Sequence, residues 1–253
     1  METEDITRGN GFNRRNFLQK GIIISAATLL GGAGLLAGCR IDDKKEDDDK
    51  DDDDDKDDNE QISPGEDLMR EHGVLNRVLL IYDHIIVQLD KAVDFPLDSL
   101  KASAEVIRKF IEDYHEKQEE DFLFPRFKKA NKLTDLVDTL KQQHDAGRRL
   151  TDQVMAYGNM QRLNSDDDRK KLSMLLTTFN IMYRPHEARE DTVLFPELRK
   201  IVSKNEYDSL GEDFEKREHQ IFGQDGFELY VSKVTDIEKR LGIYDLAQFT
   251  PKI

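Results

Sequence analysis

From Pro64 to Ile201 apolar residues recur at steps of three and four, the period of helices that bury one face. Turn signals at "VDFPLDS", "KANK" and "YGNMQRLNSDD" divide this stretch into four long segments, residues 66–92, 98–129, 133–157 and 166–201. The first lines up Leu68, His72, Leu75, Leu79, Tyr82, Ile86 and Leu89, and the second Ile107, Ile111, His115, Glu119 and Leu123. The third lines up Leu140, His144, Gly147 and Val154, and the fourth Leu175, Phe179, Met182, His186, Glu190 and Leu194. A fifth helix is expected over residues 206–240. Short connections make successive helices antiparallel neighbours, so the expected fold is all-α: an up-down-up-down four-helix bundle plus a C-terminal helix.

Each of the four seams carries one histidine, and the distances of these residues from the intervening turns bring all four to one level of the bundle. The chain also repeats itself. Residues 115–125 read "HEKQEEDFLFP" and residues 186–196 read "HEAREDTVLFP", 71 positions apart, while His72 and His144 are 72 apart. This is the pattern of a duplicated helical hairpin, each copy supplying His from one helix and His-x-x-x-Glu from the next. The +4 spacing sets histidine and carboxylate one turn apart on the same face. Any one inward histidine is most simply a hydrogen-bonded core residue. Glu119 and Glu190 are harder to explain without a partner, because a carboxylate in an apolar core costs several kcal/mol or takes up a proton. A pair of metal ions at this level supplies the missing cations, whereas a metal-free helical adaptor leaves both carboxylates buried without them.

The motifs "REHGVL" at 70–75, "HEKQEEDFLFP", "QQHDAGRRL" at 142–150 and "HEAREDTVLFP" together resemble those of a hemerythrin-like, His-His-Glu cation-binding domain. The resemblance implies a hemerythrin-like bundle with a non-haem di-iron centre. In it His72 and His115 hold one metal, His144 and His186 the other, and Glu119 and Glu190 bridge them. Glu116 and Glu187, each one residue after a ligand histidine, are either terminal ligands or salt-bridged helix flanks. Imidazole and carboxylate suit Mn and Zn as well as Fe, and the two iron ions are implied by the resemblance alone. One departure stands out. Oxygen-carrying hemerythrins have His-x-x-x-His on the third helix, and this chain has Arg148 four residues after His144. Asp191, at +5 from His186, matches the carrier pattern, but Glu190 repeats Glu119 and is the better bridge.

Composition changes the picture mainly at the N-terminus. The formal net charge is −15, of which residues 40–60 contribute about −9 through 14 acids against 5 bases. This segment has almost nothing apolar to bury and reads as a solvated tether. Residues 61–253 keep about −7, which argues against a nucleic-acid partner. Upstream, Arg14-Arg15, Phe17-Leu18, an uncharged Ala/Gly/Leu run and "LAGC" ending at Cys39 resemble a twin-arginine export signal joined to a lipoprotein cleavage box. An uncleaved membrane helix is the alternative. Cys39, the only cysteine, is the candidate lipidation site. The expected organisation is a signal over 1–39, an acidic tether over 40–63, the bundle over 64–201 and a helical extension over 202–253. The protein is expected to be exported and lipid-anchored to the extracytoplasmic side of the membrane.

The function expected from these readings is binding of O2 or a related small molecule, NO or peroxide, for sensing, storage or scavenging at the cell envelope. A di-iron oxidoreductase or an iron-centre repair protein is the enzyme-class alternative. Of the remaining residues, His84 is expected on the solvent side and His219 in the fifth helix. Tyr114 and Tyr183 are expected in core packing or in hydrogen bonds behind the ligands, and Pro185 at a kink or bulge that re-aims His186.

Overall fold

The computed structural model describes residues 62–253 except 164, 224 and 253, so the signal, Cys39 and most of the acidic segment lie outside the described residues. Helix α1 (Pro64–Asp90) starts at a capping box: the Ser63 hydroxyl accepts from the Glu66 N–H at 3.4 Å, and the Glu66 carboxylate accepts from the Ser63 N–H at 3.0 Å. Helix α2 runs unbroken through residues 97–130, α3 covers Thr134–Gly158, and α4 runs through residues 166–201. Two helices follow, α5 (Lys204–Phe222) and α6 (Gly226–Leu241), in place of the one expected over 206–240. Gly223 takes up φ +68, which ends α5, and the Asp225 side chain then caps α6 on the Glu228 N–H. Among the described residues there is no β-strand.

Helix α1 packs against α2 and α4, and α3 against the same two, which closes the four-helix ring. Helix α6 lies across α1 and α2, and α5 lies against α1. Two apolar clusters fill the bundle. One holds Leu75, Tyr82, Phe110, Tyr114, Val154, Phe179 and Tyr183, with Tyr230 and Val234 from α6. The other holds Leu68, Leu123, Phe124, Leu140, Leu194 and Phe195, with Tyr207 and Phe214 from α5. On every bundle helix the candidate ligand lies between residues of the two clusters, so the four histidines and two glutamates form a buried polar layer between two dry cores.

The repeated Leu-Phe-Pro now has a physical explanation. Proline cannot donate, and its ring would collide with the carbonyl four residues back. Ahead of each Phe-Pro pair the helix therefore widens into a π turn, Glu119–Leu123 in α2 and Glu190–Leu194 in α4. The Phe124 N–H reaches the Glu119 carbonyl, and the Phe195 N–H reaches that of Glu190. Each widened turn begins at a candidate bridging carboxylate. Pro185 does not make a bulge of its own: Asp166–Arg189 continues as α-helix through it, and the widened turn comes at Glu190.

The α4 seam also differs from the expected one. Leu172, Leu176, Phe179 and Tyr183 are buried, while Leu175 and Met182 lie at the edge. On α1, likewise, Ile85 is buried and Ile86 is at the edge. Tyr183 turns inward because α3 offers it a notch. A Cβ on Gly147 would lie 2.0 Å from the Tyr183 hydroxyl, so only glycine leaves room for the ring.

Candidate metal centre

His72, His115, His144, His186, Glu119 and Glu190 all converge in the polar layer and all are buried. Nitrogen and oxygen atoms of His72, His115 and Glu119 lie within 4.8 Å of one another, as do those of Glu119, His144, His186 and Glu190. Both carboxylates span the two histidine pairs. Glu119 Oε1 is 3.9 Å from His115 Nε2 and Oε2 is 3.3 Å from His144 Nε2. Glu190 Oε2 is 3.4 Å from His72 Nε2 and Oε1 is 3.1 Å from His186 Nε2.

Every histidine thus points Nε2 at the carboxylates, and each is held from behind through Nδ1. His72 donates to Asp191 at 2.7 Å and His115 to Glu71 at 2.7 Å. His144 donates to Glu120 at 3.1 Å and His186 to Gln143 at 2.9 Å. The arrangement follows the duplication: Glu71 and Gln143 each precede a candidate ligand histidine, and Glu120 and Asp191 each follow a candidate bridge. Phe124 stacks on His144 at 5.5 Å and Phe195 on His72 at 5.5 Å, so each Leu-Phe-Pro lays a ring on a histidine of the other hairpin. Metal-binding histidines characteristically use the second ring nitrogen in this way, to fix tautomer and orientation.

The centre is short of positive charge. His115 Nε2, both oxygens of Glu119 and both oxygens of Glu190 are buried without a hydrogen-bond partner. Leaving so many polar atoms unsatisfied in one place is costly, and cations between them remove that cost. The proton affinities of the centre reflect the same shortage. Burial pulls His72 down, yet the carboxylates of Asp191 and Glu190 beside it more than reverse this and raise it to about 10. Burial likewise opposes the charged form of His144, but the charge of Glu116 and the nearby carboxylates of Glu119 and Glu120 carry it well above its ordinary value. Burial, with Glu190 nearby, pushes Glu119 up to about 8. The mixed imidazole and carboxylate donors fit a transition-metal pair.

Glu116 and Glu187 lie outside this set. Glu116 accepts from the Tyr183 hydroxyl at 2.8 Å and pairs with Arg148 at 2.6 Å. Glu187 accepts from Asn76 at 3.0 Å. Glu116, Glu120 and His144 also approach one another closely, but Arg148, 2.8 Å from Glu120, already supplies a cation there. His84 is half-buried and hydrogen-bonded to Gln88, and His219 is exposed; neither belongs to the centre. Tyr114 packs against Phe110 and Phe222. Glu71, Glu120 and Gln143 are not among the residues expected from the sequence, and Asp191 stands behind His72 at 2.7 Å. Their one signal is position: each is the chain neighbour of a candidate ligand.

Comparison with known proteins agrees with this geometry. Uncharacterized proteins of Mycobacterium tuberculosis and Mycobacterium bovis are each 48% identical to the chain over 190 residues, which cover 75% of this chain and 74% of each relative. No solved structure matches the chain. The hemerythrin HHE cation-binding domain matches residues 63–198, from the cap of α1 into the last turns of α4, and therefore takes in all six converging residues. The chain belongs to the hemerythrin HHE cation-binding domain family.

Proposed function

We infer that the protein is a lipid-anchored di-iron protein of the cell envelope that takes up O2 or a related small molecule, NO or peroxide, for sensing, storage or scavenging. The observation that carries the metal reading is the pair of buried glutamates, each set between two histidine pairs, with all four carboxylate oxygens lacking hydrogen-bond partners. In this reading His72 and His115 hold one ion, His144 and His186 the other, and Glu119 and Glu190 bridge. Iron, when bound, would supply binding of the small molecule and a change of oxidation state. The protein's part is to fix the four imidazoles through their outer partners, to set two anionic carboxylates between the ions, and to exclude bulk water with the flanking apolar clusters.

Scavenging is favoured over reversible carriage. The third-helix position where a carrier has its extra histidine is occupied by Arg148, whose guanidinium pairs with Glu116 and Glu120. Anionic oxygen donors stabilise the higher oxidation state. The enzyme alternative, a di-iron oxidoreductase, shares this centre, and repeated turnover of peroxide or NO with a supplied reductant would select it. The test of the metal reading is elemental analysis and the visible spectrum of the full chain purified in air. Two irons per chain are expected, and no more than trace metal from iron-replete preparations overturns it. The address rests on the N-terminal motifs: Cys39→Ser is expected to release the protein from membranes, and Arg14→Lys with Arg15→Lys to stop its export.

A further inference from the structure

The four histidines are alike in the direction of Nε2 and unlike in what stands behind them. His72 and His115 rest on carboxylates, Asp191 and Glu71, both at 2.7 Å. His144 rests at 3.1 Å on Glu120, whose charge is shared with Arg148 at 2.8 Å, Lys117 at 2.6 Å and Lys141 at 3.7 Å. His186 rests at 2.9 Å on Gln143, a neutral amide. Gln143 occupies the place that Glu71 holds in the first hairpin, so the duplication itself offers the comparison. A carboxylate behind an imidazole raises its donor strength, and an amide does so much less. The bridges lean the opposite way, 3.1 and 3.3 Å from His186 and His144 against 3.4 and 3.9 Å from His72 and His115. The carboxylate support behind the imidazoles is thus complete on one side of the centre and half replaced by an amide on the other.

We propose that Gln143 is a positioning residue that makes the two metal positions inequivalent, holding His186 in the tautomer for binding while leaving it a weaker donor than His115. This rests on the two-metal reading above. The amide keeps the ion at the His144/His186 position more exchangeable and easier to reduce than a carboxylate would, and restoring symmetry at this one residue brings the two positions together.

The experiment uses the full chain loaded with iron-57. Release is followed with a chelator and by elemental analysis, and the iron environments by Mössbauer spectroscopy. Two release phases and two quadrupole doublets are expected for the unmodified chain. Gln143→Glu, the same shape with a charge, should slow release from one position by about tenfold, the lower end of the range for partners behind a metal ligand. It should also move one doublet and leave the other in place. Glu71→Gln should move the other phase and the other doublet, because it acts through His115. Circular dichroism of both variants without metal should match the parent, since neither changes side-chain volume. A Gln143→Glu chain whose release rates and spectrum equal the parent's overturns the proposal, as does one in which both substitutions move the same phase. Two ions leaving the parent at one rate with a single doublet also overturns it while keeping the two-metal reading. Trace metal in the parent removes that reading, and the proposal falls with it.

Discussion

The two halves of the bundle, α1 with α2 and α3 with α4, agree closely in the residues that converge and diverge in the residues that surround them. His72, His115 and Glu119 are matched by His144, His186 and Glu190, and even the π turns and stacked phenylalanines recur. One shell outward the match fails. Asn76, which reaches Glu187, stands where the second half has Arg148, which reaches Glu116 and Glu120. Glu112 stands 71 positions before Tyr183, and the first half has Leu75 where the second has the notch at Gly147. A shared centre constrains both copies at the convergence point, because each carboxylate serves both histidine pairs. The residues that flank this set carry no such doubled demand and are free to differ.

The largest effect should come from breaking that shared point. His115→Ala and His186→Ala come from different halves, yet each should lower bound metal well below two ions per chain. Stability should fall by several kcal/mol, because the bridging carboxylates lose the cations that offset their burial. Metal content and denaturant melts check this. His84→Ala, outside the centre, should change neither. A half that kept full metal after losing its own histidine would show that the copies act separately.

Next in size is the notch. Gly147→Ala places a methyl group 2.0 Å from the Tyr183 hydroxyl and 2.8 Å from its ring carbon Cζ, so α3 and α4 must separate or Tyr183 must leave Glu116. The expected cost is about 1–3 kcal/mol, typical of an overpacked core. Gly73→Ala in α1 meets nothing within 4 Å and should be neutral or stabilising by up to about 1 kcal/mol through helix propensity. A thermal melt in which Gly147→Ala is as harmless as Gly73→Ala would mean that the notch is not tight.

These comparisons also show what could be read before the fold was seen. The bundle and its six converging residues were legible because helical period, short turns and a repeat of 71 residues each constrain the same side chains. Gln143, Glu71 and Glu120 were not, since a polar residue beside a ligand on a helix looks the same whether it faces solvent or another helix's histidine. The α4 seam was displaced toward Leu175 and Met182 because period alone does not report that Gly147 leaves room for Tyr183. The break at Gly223 was passed over because one glycine inside an amphipathic stretch does not by itself demand positive φ.

The halves should also separate by pH. Burial pushes Glu112 up to about 7, against the opposing hydrogen bond from Thr151 and the charges of Arg108 and Arg148. Tyr183, its counterpart in the repeat, is driven well above its ordinary value and stays neutral throughout this range. A folded-state carboxyl with a raised affinity holds a proton that the unfolded chain has released, so its contribution is complete below the ordinary carboxylate value. That contribution is lost as pH rises through about 7, about 3 kcal/mol in all. Glu112→Gln should flatten the fall in stability between pH 5 and about 7, whatever it does to the absolute value. Glu187, also raised to about 7 by burial, leaves a residual slope of the same sign. Parallel stability curves for the parent and Glu112→Gln would exclude this assignment.

The smallest effect expected concerns how the equivalent helices α1 and α3 begin. Helix α1 has the Ser63–Glu66 box, so Ser63→Ala removes one acceptor for its free N–H groups and should cost about 1 kcal/mol. Helix α3 starts at Leu133, which has φ +49 and no side-chain cap. Left-handed backbone costs an ordinary residue about 1–2 kcal/mol, and asparagine tolerates it better. Leu133→Asn should relieve part of that strain, but it gives up the packing of Leu133 against the cluster around Val137 and Leu140. Nor does it gain a cap, since capping side chains act from extended rather than left-handed backbone. The two terms nearly cancel, and the melting temperature of Leu133→Asn should stay close to the parent's while that of Ser63→Ala falls. A clear gain for Leu133→Asn would show that strain outweighs packing at the start of α3, whereas a loss as large as that of Ser63→Ala would show that the partly buried leucine, rather than any cap, secures that end.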